Sequence, residues 1–253
     1  MKTVREDLSG LVTYLCGDTL GLGAFAARFL GFGSKIVLTR LLASEEMGLM
    51  VMILSLTALF EVLTEVGIKQ SVIQHKNGAD PEYLNMAWWF QSMRGIGLYA
   101  AASIVAPWLC EFYFRSRPEV LTRYSMEELI TLVRVAFLSI LFNGFVSPKA
   151  YILEKTFRFG RAVVITHGGF VLGTIVTIIL AFVVKNVWAI VIGSVTIGFA
   201  RCLMSYALCP FVPRFAYHRE SFQGLYRFAR GMLGLPVLAY IAFNIDVLVA
   251  GKL

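Results

Sequence analysis

Seven apolar stretches, each long enough to cross a bilayer as a helix, follow one another along this chain with short polar gaps between them. They span about Asp18–Leu42, Gly48–Ile73, Met86–Phe114, Leu129–Ile152, Ala162–Val184, Val187–Leu208 and Phe228–Leu253. At 1.5 Å per residue, a run of ~20 residues covers the ~30 Å hydrocarbon layer. Soluble chains hold about 45–50% apolar and about 25% charged residues. Here the figures are 58% and 15%, with a mean hydropathy of +0.72. Too little polar surface remains to keep such a chain dissolved. The expected fold class is all-α: a polytopic integral membrane helical bundle. Disorder, a nucleic-acid module and a disulfide-stapled secreted domain are excluded on the same figures.

The gaps carry turn and start signals. Ser44-Glu45-Glu46 reads as a helix start in which Ser44 caps the free N–H groups and the two acids meet the positive end of the helix dipole. Asn77-Gly78-Ala79-Asp80-Pro81 reads as a turn. Lys185-Asn186 is the tightest connection, so the fifth and sixth helices are expected to form an antiparallel hairpin. Six spans form a closed set and a seventh begins as the sequence ends. Residues 1–208 are therefore expected to form an N-terminal six-helix lobe, 209–227 a cytoplasmic linker, and 228–253 the first helix of a truncated second lobe.

Charge sets the expected orientation. Alternating the gaps between two sides puts Lys2, Arg5, Lys69, Lys76, Lys149, Lys155, Arg158, Arg161, Arg214, Arg219, Arg227 and Arg230 together. Only Arg40, Arg115, Arg117, Arg123, Lys185 and Lys252 fall on the other side. The positive-inside rule then places the N-terminus and the richer side in the cytoplasm. No short apolar core with a cleavage site follows the N-terminus, so a removable signal peptide is not expected. Cys16, Cys110, Cys202 and Cys209 are scattered and make no CxxC pair, which reads as packing rather than metal or redox chemistry.

Five cations and two acids fall inside the expected spans: Arg28, Lys35, Arg94, Arg134, Arg201, Glu61 and Glu65. A charge at mid-bilayer costs roughly 2.5–3.5 kcal/mol, on the order of 15–25 kcal/mol for the set. Marginal stability does not absorb that, so most of these groups should face a shared polar interior. Lys35, near a helix end, can instead snorkel to the surface. Helical spacing agrees with a common interior: Thr57, Glu61, Thr64 and Glu65 form one stripe, Gln91 and Arg94 share a face, and Ser194, Arg201 and Ser205 form another. The expected substrate-binding residues are Arg28, Arg94, Arg134 and Arg201, a cationic set for an anionic ligand. Glu61 and Glu65, one turn apart, are the expected ion-coupling pair; Glu61 paired with Arg28 or Arg94 as a purely structural ion pair is the competing reading. No P-loop, no paired metal ligands and no Gly-x-Ser-x-Gly occur, so neither an enzyme nor a cofactor is expected.

The junction Arg40-Leu41-Leu42-Ala43-Ser44-Glu45-Glu46-Met47-Gly48 resembles the Arg-x-Leu-x-x-x-Glu-x-aromatic/Met-Gly link between the first two helices of bacterial polysaccharide flippases of the Wzx type. Glu65-Val66-Gly67-Ile68, Pro107-Trp108, Glu154-Lys155 with Phe157-Arg158-Phe159, and Asn244-Ile245-Asp246 resemble later elements of that family in the same order. The resemblance implies a MATE-like fold of two six-helix lobes that rock around a central cavity. It implies flipping of an undecaprenyl-pyrophosphate-linked oligosaccharide for O-antigen, capsule or exopolysaccharide assembly, driven by an ion gradient. The implied partners are the lipid-linked oligosaccharide, membrane lipid, and polymerase and chain-length proteins, with no nucleic acid. The alternatives are a multidrug or peptidoglycan-precursor exporter of the same superfamily, or a non-transporting scaffold of a polysaccharide assembly complex.

Overall fold

In the computed structural model, which describes residues 25–63, 67–115, 118–156, 159–214, 218–232 and 238, every regular element among the described residues is helical. In chain order these are α1 (25–41), α2 (Ser44–Leu63), α3 (Ile68–Gln74), α4 (Pro81–Phe114), α5 (Pro118–Arg123), α6 (Met126–Gly144), α7 (Lys149–Lys155), α8 (Phe159–Val184), α9 (Trp188–Leu208) and α10 (Arg219–Met232). The chain is an all-α, multi-pass membrane protein. Three described helices, α4, α8 and α9, are long and apolar enough to span a bilayer, and α6 with α7 makes a fourth if the bent pair is one span. Seven such spans were expected. The described part of α1 is short, α2 carries Glu45, Glu46 and Glu61, and the last stretch lies outside the described residues beyond Met232 apart from residue 238.

α4 has 34 residues, about 51 Å of helix. Trp88 and Trp108 lie twenty residues apart on it, about 30 Å, the thickness of the hydrocarbon layer. Trp108 is exposed, whereas Trp88 turns into the bundle, its indole N–H donating to the Tyr206 hydroxyl at 2.7 Å.

Small residues decide how the helices pack. A Cβ on Gly95 would sit 2.9 Å from the Gly144 Cα, so α4 and α6 cross with their backbones nearly touching. On the α8–α9 hairpin, a Cβ on Gly173 would meet the Ile197 side chain and the Gly193 carbonyl, and one on Gly169 the Arg201 backbone. The hairpin itself matches the sequence expectation: Lys185 takes a positive φ of 50° and the Asn186 side chain accepts from the Trp188 N–H at 3.0 Å. A central apolar cluster joins α2, α4 and α6 through buried Ile53, Ala106, Phe114, Leu129, Val133 and Phe137. Ser125 and Glu128 close a reciprocal capping box at the start of α6.

The second and fourth helices were expected to be continuous, and both are broken. α2 ends at Leu63 and α3 starts after Gly67, whose φ of 62° is left-handed and suits glycine. α6 and α7 are separated by Phe145–Pro148 and bent by 63°. Pro148 cannot extend α6, because it lacks an N–H and restricts Ser147 before it. In a bilayer the freed backbone groups need partners, and neighbouring helices supply them. The carbonyls of Asn143 and Val146 accept from Gln91 Nε2 at 2.9 and 3.3 Å. Ser92 donates to the Gly144 carbonyl, Tyr206 to that of Phe145, and the Ser147 N–H donates to Ser205. This bend is held in place from α4 and α9.

One further difference from expectation concerns a polar residue. Glu46, read as a dipole partner, is 1% exposed and accepts from Arg123 and from the Tyr124 hydroxyl, each at 3.0 Å. Burial, and with it the Glu46 carboxylate, pushes the Tyr124 phenol above its ordinary pKa, so it stays a donor. α10, which begins within residues 209–227, is an amphipathic helix that packs on α3 and α4 through Leu225, Phe222 and their neighbours.

Candidate functional site

The two helix breaks meet at one cavity of about 200 Å³. Its lining is Glu61 from the end of α2, Gly67 with Ile68 and Lys69 at the start of α3, Gln91 and Arg94 from α4, Asn143 from α6, Val146 in the bend, Tyr151 from α7 and Arg201 from α9. Lys69, Arg94, Arg201 and the Glu61 carboxylate are its charged groups. Lys69 is joined to Glu154 of α7 at 2.7 Å. Glu61 accepts from Asn143 Nδ2 at 2.7 Å, and the Tyr151 hydroxyl donates to Gln91 Oε1 at 3.2 Å. Gln91 thus joins the wall to the bend: its amide nitrogen holds the backbone while its oxygen orients Tyr151.

The two arginines enter from different helices, and both line the same cavity as Tyr151. The Nε of Arg201 is buried without a hydrogen-bond partner. Its backbone is fixed by the close approach of Gly169, so the α8–α9 contact sets where this guanidinium begins. Arginine offers planar donors that match carboxylate and phosphate oxygens in pairs. Along α4, Arg94 lies about 9 Å from Trp88 and about 21 Å from Trp108. The cavity is thus nearer the start of α4, on the α3 and α10 side. Guanidinium groups set side by side in this way offer paired donors to an anion.

A family model described as "Polysaccharide biosynthesis protein" matches residues 37–253. The chain belongs to the polysaccharide biosynthesis protein family. Among curated relatives, the teichuronic acid biosynthesis protein TuaB of Bacillus subtilis is 22% identical over 198 residues, covering 78% of this chain and 38% of the relative. The succinoglycan biosynthesis transport protein ExoT of Rhizobium meliloti is 22% identical over 231 residues, covering 87% of this chain and 43% of the relative. The chain spans about two fifths of the length of these relatives. No solved structure matches.

Every residue of the cavity lies within the part matched by the family model. Of the residues singled out from sequence, Glu61, Arg94 and Arg201 meet in the cavity. Arg28 lies outside it, exposed on α1. Arg134 is exposed on α6, where its Nε donates to the Ser103 carbonyl at 3.2 Å. Glu65 falls outside the described residues. The hydroxyls of two stripe residues turn back on their own helices: Thr57 donates to Ile53 and Ser194 to Val191. Hydroxyls can satisfy themselves locally in this way, so a polar stripe need not line a cavity. Sequence reasoning missed Asn143, Tyr151 and Lys69 as site residues. The signals were present in Gly67 and in Ser147-Pro148, which break two helices and turn these side chains inward.

Proposed function

We infer that this chain forms the substrate-holding lobe of a carrier that flips undecaprenyl-pyrophosphate-linked oligosaccharide across the bacterial inner membrane, for O-antigen, capsule or exopolysaccharide assembly. The observation that carries the reading is the convergence of Arg94, Arg201 and Lys69 on one cavity, with Arg201 Nε buried and lacking a partner. The names of the relatives, a succinoglycan transport protein and a teichuronic acid biosynthesis protein, support the polysaccharide part of it. A cavity of about 200 Å³ is smaller than the ~300–1,000 Å³ pockets that engulf drug-sized ligands. It fits the anionic head of a lipid-linked sugar and leaves the glycan outside. Inorganic pyrophosphate tests this on the purified chain in detergent. At a hundred times its dissociation constant it should stabilise the fold by about 2.7 kcal/mol, a rise of several degrees in melting temperature. Protection no greater than that from sulfate would refute the assignment.

The orientation follows from the charge distribution: the N-terminus and Asn77 face the cytoplasm and Ser116 the periplasm. On a cysteine-free background, an impermeant thiol reagent applied from the periplasm should label Ser116→Cys and spare Asn77→Cys. The opposite pattern reverses the topology.

Ion-gradient coupling is assigned to Glu61 and Glu65. Glu61 shares its cavity with two guanidiniums, so its charge and that of a bound anion are linked. In reconstituted full-length protein under an imposed pH or sodium gradient, Glu61→Gln and Glu65→Gln should each uncouple flipping from the gradient. Wild-type gradient dependence in both variants would remove these residues from the coupling role.

A further inference from the structure

We propose that the exposed face of α10 is a docking surface for anionic phospholipid headgroups, seated at the membrane boundary beside the cavity. Three observations place it there. Phe222 of α10 packs against Phe90 of α4 with ring centroids 6.1 Å apart, and Phe90 is only two residues from Trp88. Phe90 lies in the first third of α4, just past its polar start at Pro81–Asn85, so α10 lies alongside the end of α4 where its apolar run begins. A second pair of contacts fixes that position: His218 meets Glu82 at 2.9 Å, and the Arg214 N–H donates to Asn85 at 3.0 Å.

The third observation is the division of the helix surface. Leu225 and Ala229 are buried against the bundle. Arg219, Arg227 and Arg230 are exposed, with Glu220 the one acid on that face. Tyr226, 55% exposed, stands among them, an amphipathic ring of the kind that favours the interface. Since the apolar side of α10 is already covered by protein, its basic side is what it offers the bilayer surface. Negative headgroups complement three guanidiniums in a region where the field of anionic lipid is strong. The placement does not depend on which leaflet this is or on what the cavity carries.

The test uses the purified full chain in nanodiscs of phosphatidylcholine with and without phosphatidylglycerol. On a cysteine-free background, a fluorophore at Gln223→Cys, on the exposed face, should be quenched by lipids spin-labelled at the headgroup. The chain should also retain phosphatidylglycerol over phosphatidylcholine, and this preference should shrink with added salt. Replacing Arg219, Arg227 and Arg230 together with glutamine should lower the preference by roughly fivefold per charge. Replacing all three with lysine should keep most of it. Arg40→Gln with Arg115→Gln, at the other end of the helices, should leave it unchanged. An unquenched fluorophore would mean that water or another protein surface faces α10, and would overturn the proposal. So would a glutamine variant that keeps the wild-type lipid preference, or a control pair that loses it equally.

Discussion

Arg201→Ala in the full-length protein is expected to reduce surface polysaccharide by about 10- to 100-fold while leaving the protein in the membrane. A hydrogen bond to a charged group contributes about 1.5–3 kcal/mol, and each 1.4 kcal/mol is a factor of ten. Arg201 already sits in the cavity with its Nε lacking a partner, so no internal contact of that atom is lost on truncation. Arg94→Ala should act in the same direction, because it faces the same cavity from α4. Arg201→Lys should recover part of the export, since the charge stays and the planar pair of donors goes. Arg28→Ala and Arg134→Ala should change export less than threefold, a small effect on the same free-energy scale. Both lie outside the cavity on exposed surfaces. Surface polysaccharide and membrane protein level, measured together, decide the matter. Normal export in both the Arg94→Ala and Arg201→Ala variants would show that this cavity does not hold the substrate.

Gln91→Leu should be the most damaging substitution for the fold. Its side chain is buried, donates to the carbonyls of Asn143 and Val146, and accepts from Tyr151. Leucine fills the space and leaves these groups without their partner in a setting where water is scarce. At about 1–3 kcal/mol for each buried group left unsatisfied, the three groups cost at least roughly 3 kcal/mol. That is a large share of a stability of about 5–15 kcal/mol. The melting temperature in detergent should fall by roughly 10 °C. Gln91→Glu should be intermediate, because the acceptor for Tyr151 remains while both amide donors are lost. A leucine variant that melts within about 2 °C of wild type would mean that the α6–α7 bend is held mainly by Ser92, Ser205 and Tyr206 (on the scale of about 2–4 °C per kcal/mol).

The all-helical, membrane-spanning class of the fold was legible in the sequence because transfer of side chains into lipid is a local and nearly additive property. A run such as Ala162–Val184 declares itself without reference to any other part of the chain. The α8–α9 hairpin was legible for a similar reason, since Lys185-Asn186 leaves no length for anything but an antiparallel return. That Gln91 and Arg94 share a face follows from helical periodicity alone, and both line the cavity. Amphipathic α10 was present in the spacing of Phe222, Leu225, Phe228 and Ala229, but a sequence scanned for continuous apolar runs passes over a helix with one wet face.

Which charges converge was another matter. Arg28, Arg94, Arg134 and Arg201 have equal standing in the sequence, yet only Arg94 and Arg201 enter the cavity. Their selection depends on how each helix is rotated about its axis, and that rotation is set by contacts between residues far apart in the chain. Gly95 against Gly144 fixes α4 on α6, and Gly169 against Arg201 fixes α8 on α9. Tyr151 reaches the site only because the chain bends at Pro148, and the bend persists only because Gln91, Ser92, Ser205 and Tyr206 satisfy the backbone it exposes. Composition and periodicity determined that this chain lives in a bilayer with polar groups turned inward. The tertiary structure alone decided which of them meet, because close packing and hydrogen-bond satisfaction are properties of pairs of helices and not of any one segment.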